Sequence, residues 1–287
     1  MVLARGIDER PNAVLTTGGR RVGLTLPEKY ERLLHTLPYR LFSSEGSQLD
    51  AKLVIRVASD SQLGADRPIW DFPQVVERRL SDRADELFRF SFMVADFVQR
   101  STRTMESFVL ESADESQCLR GRLYRLLGWL ISAGDGVLLH GSGFVLDGAA
   151  AAVIGPAEAG KTTAARLIRG ERLLSDDVVA VTDIDTQPRL HATPLGRESD
   201  GVGSAPLRAI FFPSKQPAFS LQPLTARQAL IRSAAEQADT FQGLFNPYDG
   251  MSIRNLGRLL HKVPAYELGF SLDGIDREAI RRVMSGS

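Results

Sequence analysis

Residues 149–163 run Ala-Ala-Ala-Ala-Val-Ile-Gly-Pro-Ala-Glu-Ala-Gly-Lys-Thr-Thr. An apolar run suited to a buried strand ends at Ile154. It opens into Gly155-Pro156-Ala157-Glu158-Ala159-Gly160-Lys161-Thr162, a G-x-x-x-x-G-K-[ST] pattern that occurs once in the chain. Glycine at both ends of the loop reaches backbone angles closed to other residues, so successive N–H groups can turn inward around anionic oxygens. Ala164, Ala165, Leu167 and Ile168 predict a helix directly after it, with Gly170 at the C-cap position. That helix points the positive end of its dipole at the loop. A strand before and a helix after is the setting in which this pattern holds the phosphates of a nucleoside triphosphate. The predicted binding residues are Gly155, Pro156, Ala157, Glu158, Ala159, Gly160, Lys161, Thr162 and Thr163. Lys161 supplies a point charge to the terminal phosphates, and the Thr162 hydroxyl can meet a Mg²⁺ ion. Pro156 removes one N–H donor and Glu158 adds a negative charge, both at variable positions of the pattern.

Working outward, Val137-Leu138-Leu139 and Phe144-Val145-Leu146 predict two strands. Asp147-Gly148 between Leu146 and Ala149 is a strong hairpin signal. Leu119, Leu123, Leu126, Leu127 and Leu130 form a helical core stripe. A domain boundary is expected near residue 115, giving a domain at 115–287. Downstream, Thr225 and Gln228 form a capping box for a helix through Ala238. A second helix is expected from Ser252 to just before Pro264, a strand over Tyr266 to Phe270, and a last helix capped by Asp276.

After the loop comes Arg172-Leu173-Leu174-Ser175-Asp176-Asp177. A strand here, joined to the earlier one by the loop helix, would run parallel to it. A right-handed crossover would then bring the aspartates to the edge where the phosphates bind. One carboxylate there can hold Mg²⁺ and the other can take a proton from an incoming hydroxyl. The alternative is a pair of aspartates that caps a turn.

The N-terminal part has a different texture. Residues 1–25 are polar, include Gly18-Gly19, and are expected to form a loose arm. Pro27 opens a short helix carrying Tyr30, Leu33, Leu34 and Leu37. Strands are predicted at Lys52 to Ala58, at Phe88, Phe90 and Phe92, and at Glu106 to Glu111. Residues 26–114 therefore read as a small α+β module, with the aromatics from Trp70 to Phe97 as core. Lys+Arg and Asp+Glu both number 35, so nothing in the total charge favours a nucleic-acid partner. The single cysteine, Cys118, excludes an internal disulfide and a cysteine-rich metal cluster. No uninterrupted apolar run is long enough to span a bilayer, and the first residues lack the features of a secretory signal. The expectation is a soluble, cytoplasmic protein with no membrane partner.

The run His140-Gly141, then Gly155 to Thr162, then Arg172 to Asp177 resembles the core of the HPr serine kinase/phosphorylase family. That family shares its P-loop fold with phosphoenolpyruvate carboxykinase. The resemblance covers residues 135–182. It extends weakly through His191 to Gly196, Pro206 to Phe212 and Val263 to Leu268, where it is closer to the broad set of HPr-kinase-like proteins. It implies an α/β fold with a P-loop core of the HPr kinase / phosphoenolpyruvate carboxykinase type beside the smaller module. It further implies an ATP- and Mg²⁺-dependent kinase that transfers the γ-phosphate to a hydroxyl of a protein, a peptide or a small metabolite. By the resemblance, Asp176 is the general base, Asp177 sits by the metal together with Thr162, and His140 tunes the aspartates. It also implies a possible homo-oligomer. His191-Ala192-Thr193-Pro194 stands where the family carries a Glu-x-Arg-Gly segment, and Arg197, Glu198 and Asp200 are the nearby residues that could substitute. A non-catalytic nucleotide-binding scaffold is the alternative expectation. A carboxykinase acting on an organic acid is a third, with no cluster of arginines to support it.

Overall fold

The computed structural model describes residues 11–36, 38–46, 48–58, 86–90, 94–99, 102–111, 113–156, 158–168, 170, 172–241, 249–271 and 274–285. Within them the chain is mixed α/β, with two sheets and six α-helices. It divides into two compact units. One comprises Met1–Thr16, Arg20–Thr36 and Ser43–Leu123, the other Thr17–Gly19, Leu37–Phe42 and Tyr124–Ser287.

The first sheet has six strands: β1 (Ala13–Thr17), β2 (Arg20–Thr25), β3 (Ala51–Ala58), β4 (Glu86–Phe90), β5 (Val94–Gln99) and β6 (Thr104–Leu110), in the order β1-β2-β3-β6-β5-β4. Helix α1 (Glu28–Leu34) follows β2 and buries Tyr30 and Leu34. The expectation of a loose arm over residues 1–25 is corrected for residues 13–25, which form two paired strands. Gly18 and Gly19, at φ +56° and +71°, supply the two left-handed residues that a tight hairpin turn needs. Residues 1–10, Trp70 and Phe92 lie outside the described residues. Helix α2 (Glu115–Ser132) carries the predicted leucine stripe, with Leu119, Leu123, Leu126 and Leu127 fully buried. The division between the units falls inside this helix, after Leu123.

The second sheet is built from β7 (Val137–Leu146), β8 (Ala149–Ile154), β9 (Arg172–Ser175), β10 (Val178–Thr182), β11 (Arg189–His191), β12 (Ser204–Lys215), β13 (Ser220–Leu224) and β14 (Ala265–Phe270). Its order is β11-β10-β7-β8-β12-β14-β13, with β9 added alongside β7 and β11 also pairing β12. The two strands expected at 137–139 and 144–146 are one continuous strand. Its first half pairs β10 on one side, and its second half pairs β8 on the other. Because β11 bridges β10 and β12, the pairings β7-β8-β12-β11-β10 close on themselves. The β7–β8 turn is made by Asp147 and Gly148, at φ +51° and +74°, as the Asp-Gly pair predicts.

β8, β12 and β14 run parallel, so their carboxyl ends share one edge. β9 is antiparallel to β7, and β7 is antiparallel to β8, so β9 runs in the direction of β8 with β7 between them. Helix α3 (Lys161–Ile168) follows the loop, and α6 (Arg277–Ser285) closes the same face. Ala164, Ala165 and Ile168 pack with Ala151, Val153, Phe144, Phe211, Ile280 and Met284 in one cluster. Phe144 and Phe211 lie stacked with ring centres 6.5 Å apart. Helix α4 (Ala226–Phe241) begins at the predicted capping box: Gln228 N–H donates to Thr225 Oγ1 at 3.2 Å, and Thr225 N–H donates to Gln228 Oε1 at 2.9 Å. Helix α5 (Asp249–Lys262) is fastened by Asn255. Its Nδ2 donates to the carbonyls of Ser132 and Gly134, both at 3.2 Å, and of Gly136 at 2.7 Å. No helix among the described residues is long and apolar enough to cross a membrane.

Candidate functional site

The loop after β8 sits at the carboxyl edge of the parallel strands, where open α/β sheets place their ligands. Gly160 stands at φ +93°. A methyl group on it would lie 3.0 Å from the Phe270 ring, so the loop's second glycine rests directly on the end of β14. Gly155 abuts Pro213 of β12, and a Cβ there would meet the proline Cδ at 3.2 Å. The missing N–H of Pro213 thus falls where β8 has given way to the loop and no ladder bond is owed. Glu158 adopts φ +64°, a left-handed angle that a residue with a Cβ takes at a cost. Ala157 lies outside the described residues.

Lys161 opens α3. Its ammonium donates to the carbonyls of Gly155 at 2.6 Å and Pro156 at 2.9 Å, bracing the loop from within. Thr162 lies one residue on, and its hydroxyl donates to the main-chain oxygen of Asp176 at 3.2 Å. This bond joins the glycine loop to the main chain of the first of the paired aspartates.

Asp176 is held on several sides. Its main-chain oxygen also accepts from the buried Ser142 hydroxyl at 2.8 Å. Its Oδ1 accepts the backbone N–H of Arg197 at 2.8 Å and of Glu198 at 3.1 Å. Gly196 permits that approach, since a Cβ there would overlap Asp176 Oδ1 and lie 2.6 Å from Ser175 Oγ. The flanking residues continue the seam. The Thr193 hydroxyl donates to the Val178 oxygen at 2.5 Å, and the Ser199 hydroxyl donates to the Leu174 oxygen at 2.6 Å. Asp200 accepts the Leu173 N–H at 2.7 Å through Oδ2. Residues 193–200 are therefore laced along β9 and the aspartates.

Asp177 turns the other way. Its Oδ1 lies 3.2 Å from Nδ1 of His140, and its carbonyl accepts the Gly141 N–H at 2.7 Å. The side chains of His140 and Asp177 are 23% and 25% exposed, so both remain open to solvent. Thus the structure brings together Thr162, Asp176, Asp177 and His140. It pairs His140 with Asp177 rather than with Asp176. Of the three residues that could substitute for the family's Glu-x-Arg-Gly segment, Asp200 is committed to the Leu173 backbone. Glu198 is paired with Arg166 of α3, whose Nε donates to it at 3.2 Å. Arg197 is exposed at the surface.

Beside the loop, a cleft of about 910 Å³ is lined by Glu158, Gly160, Lys161, Thr162, Thr163, Lys215, Gln216, Pro217, Phe270 and Ser271. Lys215 and Gln216 come from the end of β12, Phe270 and Ser271 from the end of β14. Sequence reasoning missed Lys215. The available signal was a lysine ending the apolar run Ala209 to Phe212, a strand end on the ligand edge. It also missed Gly196, whose role depends on a contact no local pattern shows.

Among the described residues, no group of three or more His, Cys, Asp or Glu side chains is placed to hold a metal ion. Mg²⁺ is commonly held by one or two carboxylates together with substrate phosphates rather than by a protein cage. Thr162 and the aspartates are the residues available for it. No protein-family model matches the chain, and no curated protein matches it.

Proposed function

We propose that this chain is a P-loop phosphotransferase of the HPr-kinase-like type, which binds ATP with Mg²⁺ and passes the γ-phosphate to a hydroxyl of a protein, peptide or small molecule. The observation that carries this reading is the Thr162–Asp176 hydrogen bond, which ties a phosphate-type loop to the main chain of the first of two adjacent aspartates. The loop amides and Lys161 would bind the β- and γ-phosphates. Mg²⁺, when bound, would neutralise charge on those phosphates, with Thr162 and the neighbouring carboxylate as its protein contacts. In the transfer, the acceptor oxygen bonds to the γ-phosphorus as the bond to the β–γ bridging oxygen breaks. ADP leaves with the electron pair, and the hydroxyl proton passes to the protein. Most of the acceleration in such a reaction comes from positioning and charge stabilisation.

The hydrogen bonding favours a division of labour opposite to the one the resemblance implies. Asp176 Oδ1 already accepts two backbone N–H groups. The Asp177 carboxylate faces an imidazole, which can share an incoming proton. In this reading Asp177 with His140 takes the proton, and Asp176, whose main chain is tied to Thr162, is the carboxylate held in place by the Arg197 and Glu198 N–H groups. The test is transfer of labelled γ-phosphate to candidate acceptors, alongside calorimetric ATP binding. Lys161→Ala should lose both. Asp177→Asn should lose transfer and keep binding. Tight ATP binding by the unaltered chain with no transfer to any acceptor would favour the non-catalytic scaffold. Absence of triphosphate binding would end the proposal.

A further inference from the structure

The strand order gives the candidate site two sides. β8, which carries the phosphate loop, lies between β7 and β12. His140 of β7 and the aspartates that follow β9 occupy one side. The cleft with Lys215, Phe270 and Ser271 occupies the other. In an in-line phosphoryl transfer the attacking and leaving oxygens stand on opposite faces of phosphorus. The acceptor must then approach from the side of the aspartates, and the rest of the nucleotide must leave toward the cleft.

The cleft suits that part of the molecule. Its volume of about 910 Å³ falls within the range of small-molecule sites. Its charged lining is Lys161 and Lys215 against Glu158. Lys215 is exposed, and its ammonium makes no ion pair among the described residues. Gln216 is differently placed: its Nε2 donates to Ser214 Oγ at 3.4 Å, its Oε1 accepts from Ser220 Oγ at 3.1 Å, and its N–H donates to the Phe270 oxygen at 3.0 Å. Gln216 is thus a wall that holds β12, β13 and β14 together at the cleft floor, leaving Lys215 as the group that can swing to an anion.

We infer that Lys215 is a second phosphate-binding cation, which holds the α-phosphate while the nucleoside lies in the cleft between the ends of β12 and β14. The inference rests on the triphosphate reading and adds a direction to it: nucleoside toward β14, acceptor toward β10. A lysine acts here as a mobile point charge, so its contribution is modest and falls with salt.

The test uses the full chain with ATP and ADP in calorimetry, and 8-azido-ATP in photo-crosslinking mapped by mass spectrometry. Lys215→Ala should weaken both nucleotides about five-fold at low salt, the size of one exposed charge contact, and less at high salt. Lys215→Arg should restore binding. The azido label should fall on the segments around Lys215–Pro217 or Phe270–Ser271. Unchanged binding by Lys215→Ala, while Lys161→Ala loses it, would overturn the role of Lys215 and leave the triphosphate reading standing. Label on His140 or on Gly196–Glu198 would reverse the direction. Failure of the unaltered chain to bind any triphosphate would remove the parent reading itself.

Discussion

Gly196→Ala isolates the seam that holds Asp176. The φ of Gly196 lies outside the left-handed region, so the backbone itself accepts alanine. The cost is the methyl group, which overlaps Asp176 Oδ1 and stands 2.6 Å from Ser175 Oγ. Neither neighbour yields readily: Ser175 is fully buried, and Asp176 is anchored through its main chain by Ser142 and Thr162. The carboxylate must swing away and release the N–H groups of Arg197 and Glu198. A hydrogen bond to a charged group contributes roughly 1.5–3 kcal/mol. Asp176 is only partly buried, so the lower end applies and two bonds amount to about 3 kcal/mol. For a domain of roughly 150–250 residues that lowers Tm by about 6–12 °C. The assay is urea and thermal unfolding of four proteins: the unaltered chain, Gly196→Ala, Asp176→Ala and the double variant. With the carboxylate removed, the 2.6 Å approach to Ser175 Oγ remains but there are no longer two hydrogen bonds to lose, so the Gly196→Ala cost should be clearly smaller in the Asp176→Ala background. Equal losses in both backgrounds, or no loss in either, would refute the reasoning.

Other expectations bear on the loop, the core and the first unit. Glu158→Gly removes a left-handed residue with a side chain and a negative charge from the loop, so stability should rise by about 1 kcal/mol and ATP should bind several-fold tighter; thermal unfolding and calorimetry report the two effects. Phe211→Ala empties a fully buried site stacked on Phe144 and should cost about 3–5 kcal/mol in urea unfolding. Asn255→Leu strips the donor from three carbonyls between α2 and β7 and should cost about 2–4 kcal/mol, measured the same way. Burial raises the proton affinity of the Cys118 thiol above its ordinary value of 9.0. Above that value the unfolded chain gives up a proton that the folded chain keeps, so stability falls with rising pH there and is undiminished below it. Tyr30, raised chiefly by burial and beside Cys118, adds to the same trend at higher pH. Cys118→Ala should flatten the urea midpoint plotted between about pH 8 and 10.

Features with local causes were legible in the sequence. The Asp147-Gly148 turn, the Thr225–Gln228 capping box, the Asp276 cap and the leucine stripe of α2 each follow from residues within one turn or one helix. The glycine loop was legible for the same reason, since the apolar run ending at Ile154 and the alanines after Lys161 lie next to it. What escaped depends on distant pairing. Residues 13–25 look polar and unstructured alone, yet a glycine pair lets them fold back as paired strands. Gly141 and Gly143 made β7 look like two strands, whereas pairing with β10 and β8 on opposite sides keeps it continuous. In the candidate site, the residue types could be named in advance, but not which aspartate meets His140. Adjacent residues leave a strand end in different directions, and only the lacing of residues 193–200 decides which carboxylate is tied down.

The contact between Gly160 and the ring of Phe270 has a consequence for biogenesis. A ribosome releases the glycine loop long before it releases the strand on which that loop rests. Until β14 docks beside β12, Gly160 has nothing beneath it and the carboxyl edge is incomplete. A nascent chain arrested after β12 would carry every residue of the loop without its support. The supported geometry of the loop should therefore arrive late in synthesis and abruptly, when β14 is in place.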